Sequence, residues 1–243
     1  MLMSVIEGAR SAPGYPELAG KRVLITGISS ACGVDVARAF ADHRARLVLQ
    51  FAEESESMQA VAEVVAPAAL DVEVYGPVGG DVDGIAQFSR TVAQSFGRLD
   101  VVINLVPLDA HRLDPAADAA TVERMVAERL LLPFLLSKVA ANRMSLCYAD
   151  GLILNIAMLT AARQGAERAF AAVAKGALTA MTRSQAEEWA PRGIRFNAIA
   201  PQTITPAAPG LCGEADIAAL ALYLASGRGK ALTGHIFEAE PAR

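Results

Sequence analysis

Short apolar runs alternate along this chain with longer stretches of helical period. Arg22–Thr26 (RVLIT) reads as a buried strand and Ala31–His43 as the helix that follows it. The strand signal returns at Arg46–Leu49, Val72–Tyr75 and Val101–Asn104, with helical stretches at Ser55–Val65 and Val82–Phe96 between them. Val101–Asn104 begins with successive apolar positions, as a strand covered on both faces should. A long helix is predicted over Val122–Met144, with Pro133 kinking it. Leu152–Ile156 reads as a strand, Glu167–Ala190 as a helix stopped by Pro191 and Gly193, and Ile194–Ile199 as a strand. A helix over Glu214–Ala225 and a strand over His235–Glu238 close the pattern. This order predicts an α/β fold, a doubly wound parallel sheet with helices on both faces. No repeat, low-complexity stretch or linker divides it, so a single domain is expected.

Composition narrows the picture. A compact fold of 243 residues buries about 70% of its unfolded surface, enough for a sizeable core. Hydrophobic residues make up 53% and aromatics only 5%, so that core is built from Ala, Val, Leu and Ile. The mean hydropathy of +0.33 excludes a disordered chain. A net charge of −4, with Lys and Arg scattered, gives no attraction for nucleic acid or for an anionic membrane. No run of about 18 apolar residues suggests a membrane span, and the first twenty residues, interrupted by Glu7 and Arg10, do not read as a signal peptide. Cys32, Cys147 and Cys212 show no paired spacing, which suits a reduced, cytoplasmic protein. His43, His111 and His235 lie far apart, so no metal site is expected.

Several segments carry a resemblance. LAGKRVLITGISSACGV (Leu18–Val34), GRLDVVIN (Gly97–Asn104), AKGALTAMTRSQAEEWAPRGIRFNAIAP (Ala174–Pro201) and Thr233-Gly234 resemble, in order, motifs of the short-chain dehydrogenase/reductase (SDR) family. The resemblance implies a Rossmann-like domain over residues 18–243, preceded by an N-terminal extension over 1–17. It also implies hydride transfer with NAD(P), with a tyrosine as general acid/base.

The cofactor cradle departs from the family pattern. Thr26–Gly33 matches T-G-x-x-x-G-x-G at Gly27 and Gly33, but Ala31 stands at the middle glycine. Where that position requires φ > 0, a Cβ costs about 1–2 kcal/mol. The acid expected to hold the ribose hydroxyls is missing: Gln50 and Phe51 occupy its place. Glu53 and Glu54 follow too late and read better as solvated residues at a helix start. The N-N-A-G turn reads Asn104-Leu105-Val106-Pro107, keeping Asn104 as a structural tie and replacing a glycine by Pro107. Gln202 replaces the glycine after Pro201. Asp81-Val82 matches the family's adenine contact, yet Asp81 is equally a natural N-cap, the preferred reading.

The catalytic positions are further eroded. The resemblance places the family's Asn, Ser, Tyr and Lys at Arg129, Met158, Ala171 and Lys175, so only Lys175 is retained. Tyr15, Tyr75, Tyr148 and Tyr223 lie in the wrong elements to stand in. Lys175 is open to two readings, a residual anion contact or a half-exposed helix lysine. Arg129 is open to two as well, a carboxylate anchor or a long stem filling vacated space. The substrate lid is cut down to residues 202–213, and the family's last-strand V-D-G-G becomes Ala239-Glu240-Pro241-Ala242. The apolar faces of Val122–Met144 and Glu167–Ala190 persist; in the family these helices form the main dimer interface.

Loss of chemistry with retention of scaffold points to a non-catalytic subunit. Its expected partner is a catalytically complete SDR paralogue, as a heterotetramer that oxidises a secondary alcohol or reduces its ketone. No cofactor is expected in this chain and NAD(P) is expected in the partner. Two alternatives stand beside this: an atypical active reductase, and a ligand-sensing regulator using the vacated cleft.

Overall fold

The computed structural model describes residues 14–29, 32–54, 56–79, 81–107, 119–158, 165–201 and 213–238. Seven parallel strands form one sheet: β1 (Arg22–Ile28), β2 (Arg46–Phe51), β3 (Asp71–Tyr75), β4 (Val101–Pro107), β5 (Gly151–Met158), β6 (Ile194–Ile199) and β7 (Ile236–Phe237). Their spatial order is β3-β2-β1-β4-β5-β6-β7. The helices are α1 (Val34–Asp42), α2 (Glu56–Val65), α3 (Val82–Val92), α4 (Ala119–Leu146), α5 (Gly165–Trp189) and α6 (Glu214–Ala225). This is the single-domain, doubly wound architecture expected from the alternation of strand and helix signals.

The strand period of two sorts side chains to opposite faces of the sheet. Val23 and Ile25 of β1 and Leu47, Leu49 and Phe51 of β2 join a core with Val36 and Phe40 of α1 and Ile217 and Ala221 of α6. Leu24 and Val48, one residue out of phase, pack on the other face with Leu136 and Ala140 of α4 and Trp189 of α5. Each fully buried Val, Leu, Ile or Phe stabilises the fold by about 1.5–3 kcal/mol. At the amino ends of β1 and β4, Arg22 donates to Asp100 from its backbone N–H (2.9 Å), Nε (2.7 Å) and Nη2 (2.8 Å), locking their register.

Several boundaries differ from the sequence-based ones, for local reasons. The β1 strand continues through Gly27 to Ile28, and α1 begins at Val34 rather than Ala31. The α3 helix stops at Val92; a single turn over Ser95–Gly97 follows, in which Phe96 has φ +51°. The β4 strand runs three residues past Asn104, because Leu105, Val106 and Pro107 pair with Ile156, Ala157 and Met158. The α4 helix continues across Pro133. Pro133 has no N–H, so the carbonyl four residues back, on Arg129, lacks its helical donor. Upstream of β1, Tyr15 packs on His43, and Glu17 accepts from the Gly227 N–H at 3.0 Å.

Candidate functional site

In an open parallel sheet, ligands bind outside the carboxyl ends of the strands, where the winding direction reverses. Here that point lies between β1 and β4. A cavity of about 140 Å³ opens there, lined by residues that include Gly27, Gln50, Asn104, Pro107, Arg129 and Pro133. Small-molecule pockets run to roughly 300–1,000 Å³, more than the space bounded by the described residues here.

The two retained glycines answer to packing. Gly27 has φ +78°, and a Cβ there would collide with the Leu105 carbonyl oxygen. Gly33 has φ +100°, and a Cβ there would stand 2.6 Å from Leu105 Cδ1. Leu105, in place of the second Asn of the family turn, is 3% exposed and belongs to the main core. Close approach of β4 to the β1–α1 turn therefore demands both glycines, whatever the turn binds. Ala31 and Gln202 lie outside the described residues, as do most of the short lid (202–212) and the Ala239–Ala242 stretch.

One cradle position sits differently from the sequence reading, and another takes the role preferred there. Phe51 does not face the cleft: the pleat turns it, 1% exposed, into the core beside Val36 and Phe40. Gln50 lines the cavity instead. Its Oε1 accepts from the Gly27 N–H at 2.9 Å, and its Nε2 donates to the carbonyls of Phe51 and Gly76. Asp81 is the N-cap of α3, accepting from the Gly84 N–H at 2.6 Å, and Val78 is the residue of that loop that lines the cavity. The adenine-contact reading of Asp81 thus gives way to the capping one.

Asn104 is the structural tie anticipated for it. It is 1% exposed, and its Oδ1 accepts from Thr26 Oγ1 at 3.2 Å. Its Nδ2 donates to Ser137 Oγ at 3.1 Å and Asn155 Oδ1 at 2.8 Å. Asn155 in turn donates to Thr182 Oγ1 at 2.9 Å, so one buried polar chain joins β1, β4, β5 and both long helices.

Of the four catalytic positions, two carry side chains that have become part of the core. Met158 is 2% exposed among core residues, and Ala171 is 3% exposed beside the small cluster around Phe170 and Ala174. Lys175 does not line the cavity; its Nζ pairs with Glu238 Oε1 at 3.2 Å, beyond the end of β7. Arg129 does line it, and no carboxylate among the described residues pairs with it. All four tyrosines are described, and none reaches the cleft. Tyr15 stacks on His43, Tyr75 packs edge-on against Phe88, Tyr148 is fully exposed before β5, and Tyr223 packs on the core from α6.

One contact had no sequence signal at all. Glu214, the first residue of α6, accepts from the N–H groups of Gly33 at 2.7 Å and Asp35 at 3.0 Å, at the start of α1. Burial raises its carboxyl pKa above the usual range, and these hydrogen bonds oppose that shift.

A family model described as Enoyl-(Acyl carrier protein) reductase matches residues 27–215. The chain is 32% identical to momilactone A synthase of Oryza sativa, covering 90% of this chain and 88% of that protein. It is 30% identical to the L-tagatose-forming galactitol 2-dehydrogenase of Cereibacter sphaeroides, covering 90% and 93%. This chain belongs to the short-chain dehydrogenase/reductase family. A solved SDR from Burkholderia xenovorans superposes with a TM-score of 0.77 at 25% identity, covering 92% of this chain and 96% of that one. The SDR family is one of oxidoreductases, and the galactitol 2-dehydrogenase above carries an oxidoreductase name. Against that background, Arg129 is the only titratable side chain among the described residues lining the cleft. A guanidinium stays protonated at any working pH and so cannot exchange a proton with substrate. No helix among the described residues is long and apolar enough to cross a membrane.

Proposed function

We propose that this chain is a non-catalytic subunit of an NAD(P)-dependent SDR complex, in which a catalytically complete paralogue oxidises an alcohol or reduces a ketone. The observation that carries this is the cleft itself, with Arg129 as the one titratable group among its described lining residues and Ala171 buried at the tyrosine position. General acid/base catalysis alone contributes about 10²–10⁴ in rate, and nothing described here supplies it. NAD(P) belongs to the partner, because the space by Gly27 and Gln50 is small and partly filled by side chains.

The faces of α4 and α5 suit a partner. Leu130, Phe134, Ala177, Met181 and Trp189 line a groove of about 620 Å³ between the two helices. Gln185 lines the same groove. It is 5% exposed, and its Oε1 is buried with no hydrogen-bond partner among the described residues. In the family these helices pair as a four-helix bundle, giving a heterotetramer of two and two. The chain resembles the partner subunit of the heteromeric 2-[hydroxy(phenyl)methyl]succinyl-CoA dehydrogenase of anaerobic toluene degradation, so a β-hydroxyacyl-CoA is the substrate class to try first.

Met181→Asp tests the reading, with assembly followed by light scattering and the partner's turnover followed in parallel. A charge buried unpaired at that face costs about 3–5 kcal/mol, so complex and activity should fall together. A wild-type chain that stays monomeric beside every paralogue tested would defeat the subunit reading. Saturable binding of a small carboxylate that is lost on Arg129→Ala would favour the sensor reading, supported by Arg129 having no carboxylate partner among the described residues.

A further inference from the structure

The Glu214 contact has a use within the same fold. At the N-terminus of the first helix after β1, free N–H groups and the helix dipole make the place where the phosphates of a dinucleotide dock. In this chain a carboxylate is already seated there. We infer that Glu214 is an internal anion that occupies the α1 N-terminus in place of a phosphate and closes that helix start to dinucleotides. This deepens the reading of the chain as a subunit without its own cofactor and rests on it.

Five observations converge. Glu214 Oε1 takes both the Gly33 N–H (2.7 Å) and the Asp35 N–H (3.0 Å), two of the donors that α1 itself leaves unpaired. Gly33 is in the left-handed region at φ +100°, the conformation that presents its N–H at the mouth of the helix. Glu214 is also the first residue of α6, so its charge lies at the amino ends of two helices at once. Val36 and Phe40 of α1 pack with Ile217 and Ala221 of α6 in one core, which holds the carboxylate against the turn. Asp35, half-buried in the first turn of α1, adds a second negative charge that would repel a phosphate.

The consequence is a turn that needs no ligand. In dinucleotide-binding folds of this kind a phosphate sits at such a helix N-terminus; here the chain satisfies the Gly33 and Asp35 donors with a residue 181 and 179 positions away. The fold thereby stays complete while the dinucleotide is left to the partner.

The test replaces Glu214 in the whole chain and uses inorganic pyrophosphate as the probe. Glu214→Ala removes the anion, and Glu214→Gln keeps an acceptor oxygen without the charge. Thermal midpoints and calorimetric titrations are compared at matched ionic strength, with chloride as the control. The wild-type midpoint should not respond to millimolar pyrophosphate beyond the chloride control. Glu214→Ala should melt lower, recover with pyrophosphate, and bind it at least about tenfold more tightly than wild type. Glu214→Gln should fold and gain affinity to a smaller extent, and it carries the test if the alanine variant does not fold. Equal pyrophosphate binding by wild type and by the folded variants would overturn the assignment while leaving the subunit reading standing. Tight binding of NADH by wild type would overturn the subunit reading itself, and the pyrophosphate comparison would still decide the role of Glu214.

Discussion

Replacing Asn104 by alanine should unfold this protein at markedly lower temperature. Asn104 is 1% exposed and makes three side-chain hydrogen bonds, to Thr26, Ser137 and Asn155. Each contributes about 1 kcal/mol net, and the substitution leaves Asn155 Oδ1 without its donor in a dry site, costing about 1–3 kcal/mol more. The ring of partners spans β1, β4, β5 and α4, so no single side chain can turn to water to compensate. The total of about 4–6 kcal/mol is a large share of the roughly 5–15 kcal/mol that stabilises a domain. For a chain of this length it corresponds to a fall of about 8–24 °C in Tm. Urea titration followed by circular dichroism measures it, with an unchanged m-value as evidence of a two-state loss. A loss under about 1 kcal/mol would refute the argument, because surface substitutions commonly cost that little. Asn104 would then owe its presence to something other than the strand tie.

Two further outcomes follow from particular contacts. Ala171→Tyr puts a phenol at the family's tyrosine position but leaves Met158 in the core and Lys175 bound to Glu238; turnover of secondary alcohols should stay at background, because such groups act as a unit. Asp100 gives a pH dependence. Burial pushes its carboxyl up, but the hydrogen bonds and charge of Arg22 outweigh this and hold it below the usual range. A depressed folded pKa adds stability that is fully present above the unfolded value of about 4 and is lost as pH falls through the folded value. Asp100→Asn should therefore cost about 1.5–3 kcal/mol at pH 7 and flatten the stability profile below pH 4 or so, as read by urea midpoints across pH.

The fold was legible because each strand is a dense apolar run and each helix a longer periodic one. Ile194–Ile199 and Glu214–Ala225 begin and end where their patterns do. Strand ends at the carboxyl edge were harder. A glycine or proline, as at Gly27 and Pro107, reads as a break, yet backbone pairing carries β1 past Gly27 to Ile28 and β4 out to Pro107 itself. The site was legible by position and less so by direction. Spacing placed Phe51 at the acid position, but the phase of the pleat, fixed by Leu47 and Leu49 on the core side, turns Phe51 inward and Gln50 to the cleft. The partners of Lys175 and Gly33 were beyond local pattern. Glu238 and Glu214 are ordinary surface-type residues in the sequence, and only the packing of the last strand and of α6 brings them to their contacts.

The central claim is that this chain supports chemistry performed elsewhere and holds no dinucleotide of its own. Calorimetric titration of the isolated chain with NADH and NADPH tests it most directly. The account requires no saturable heat at sub-millimolar cofactor, which for a micromolar binder is a loss of about 4 kcal/mol, nearly a thousandfold. A micromolar dissociation constant for either cofactor would contradict it.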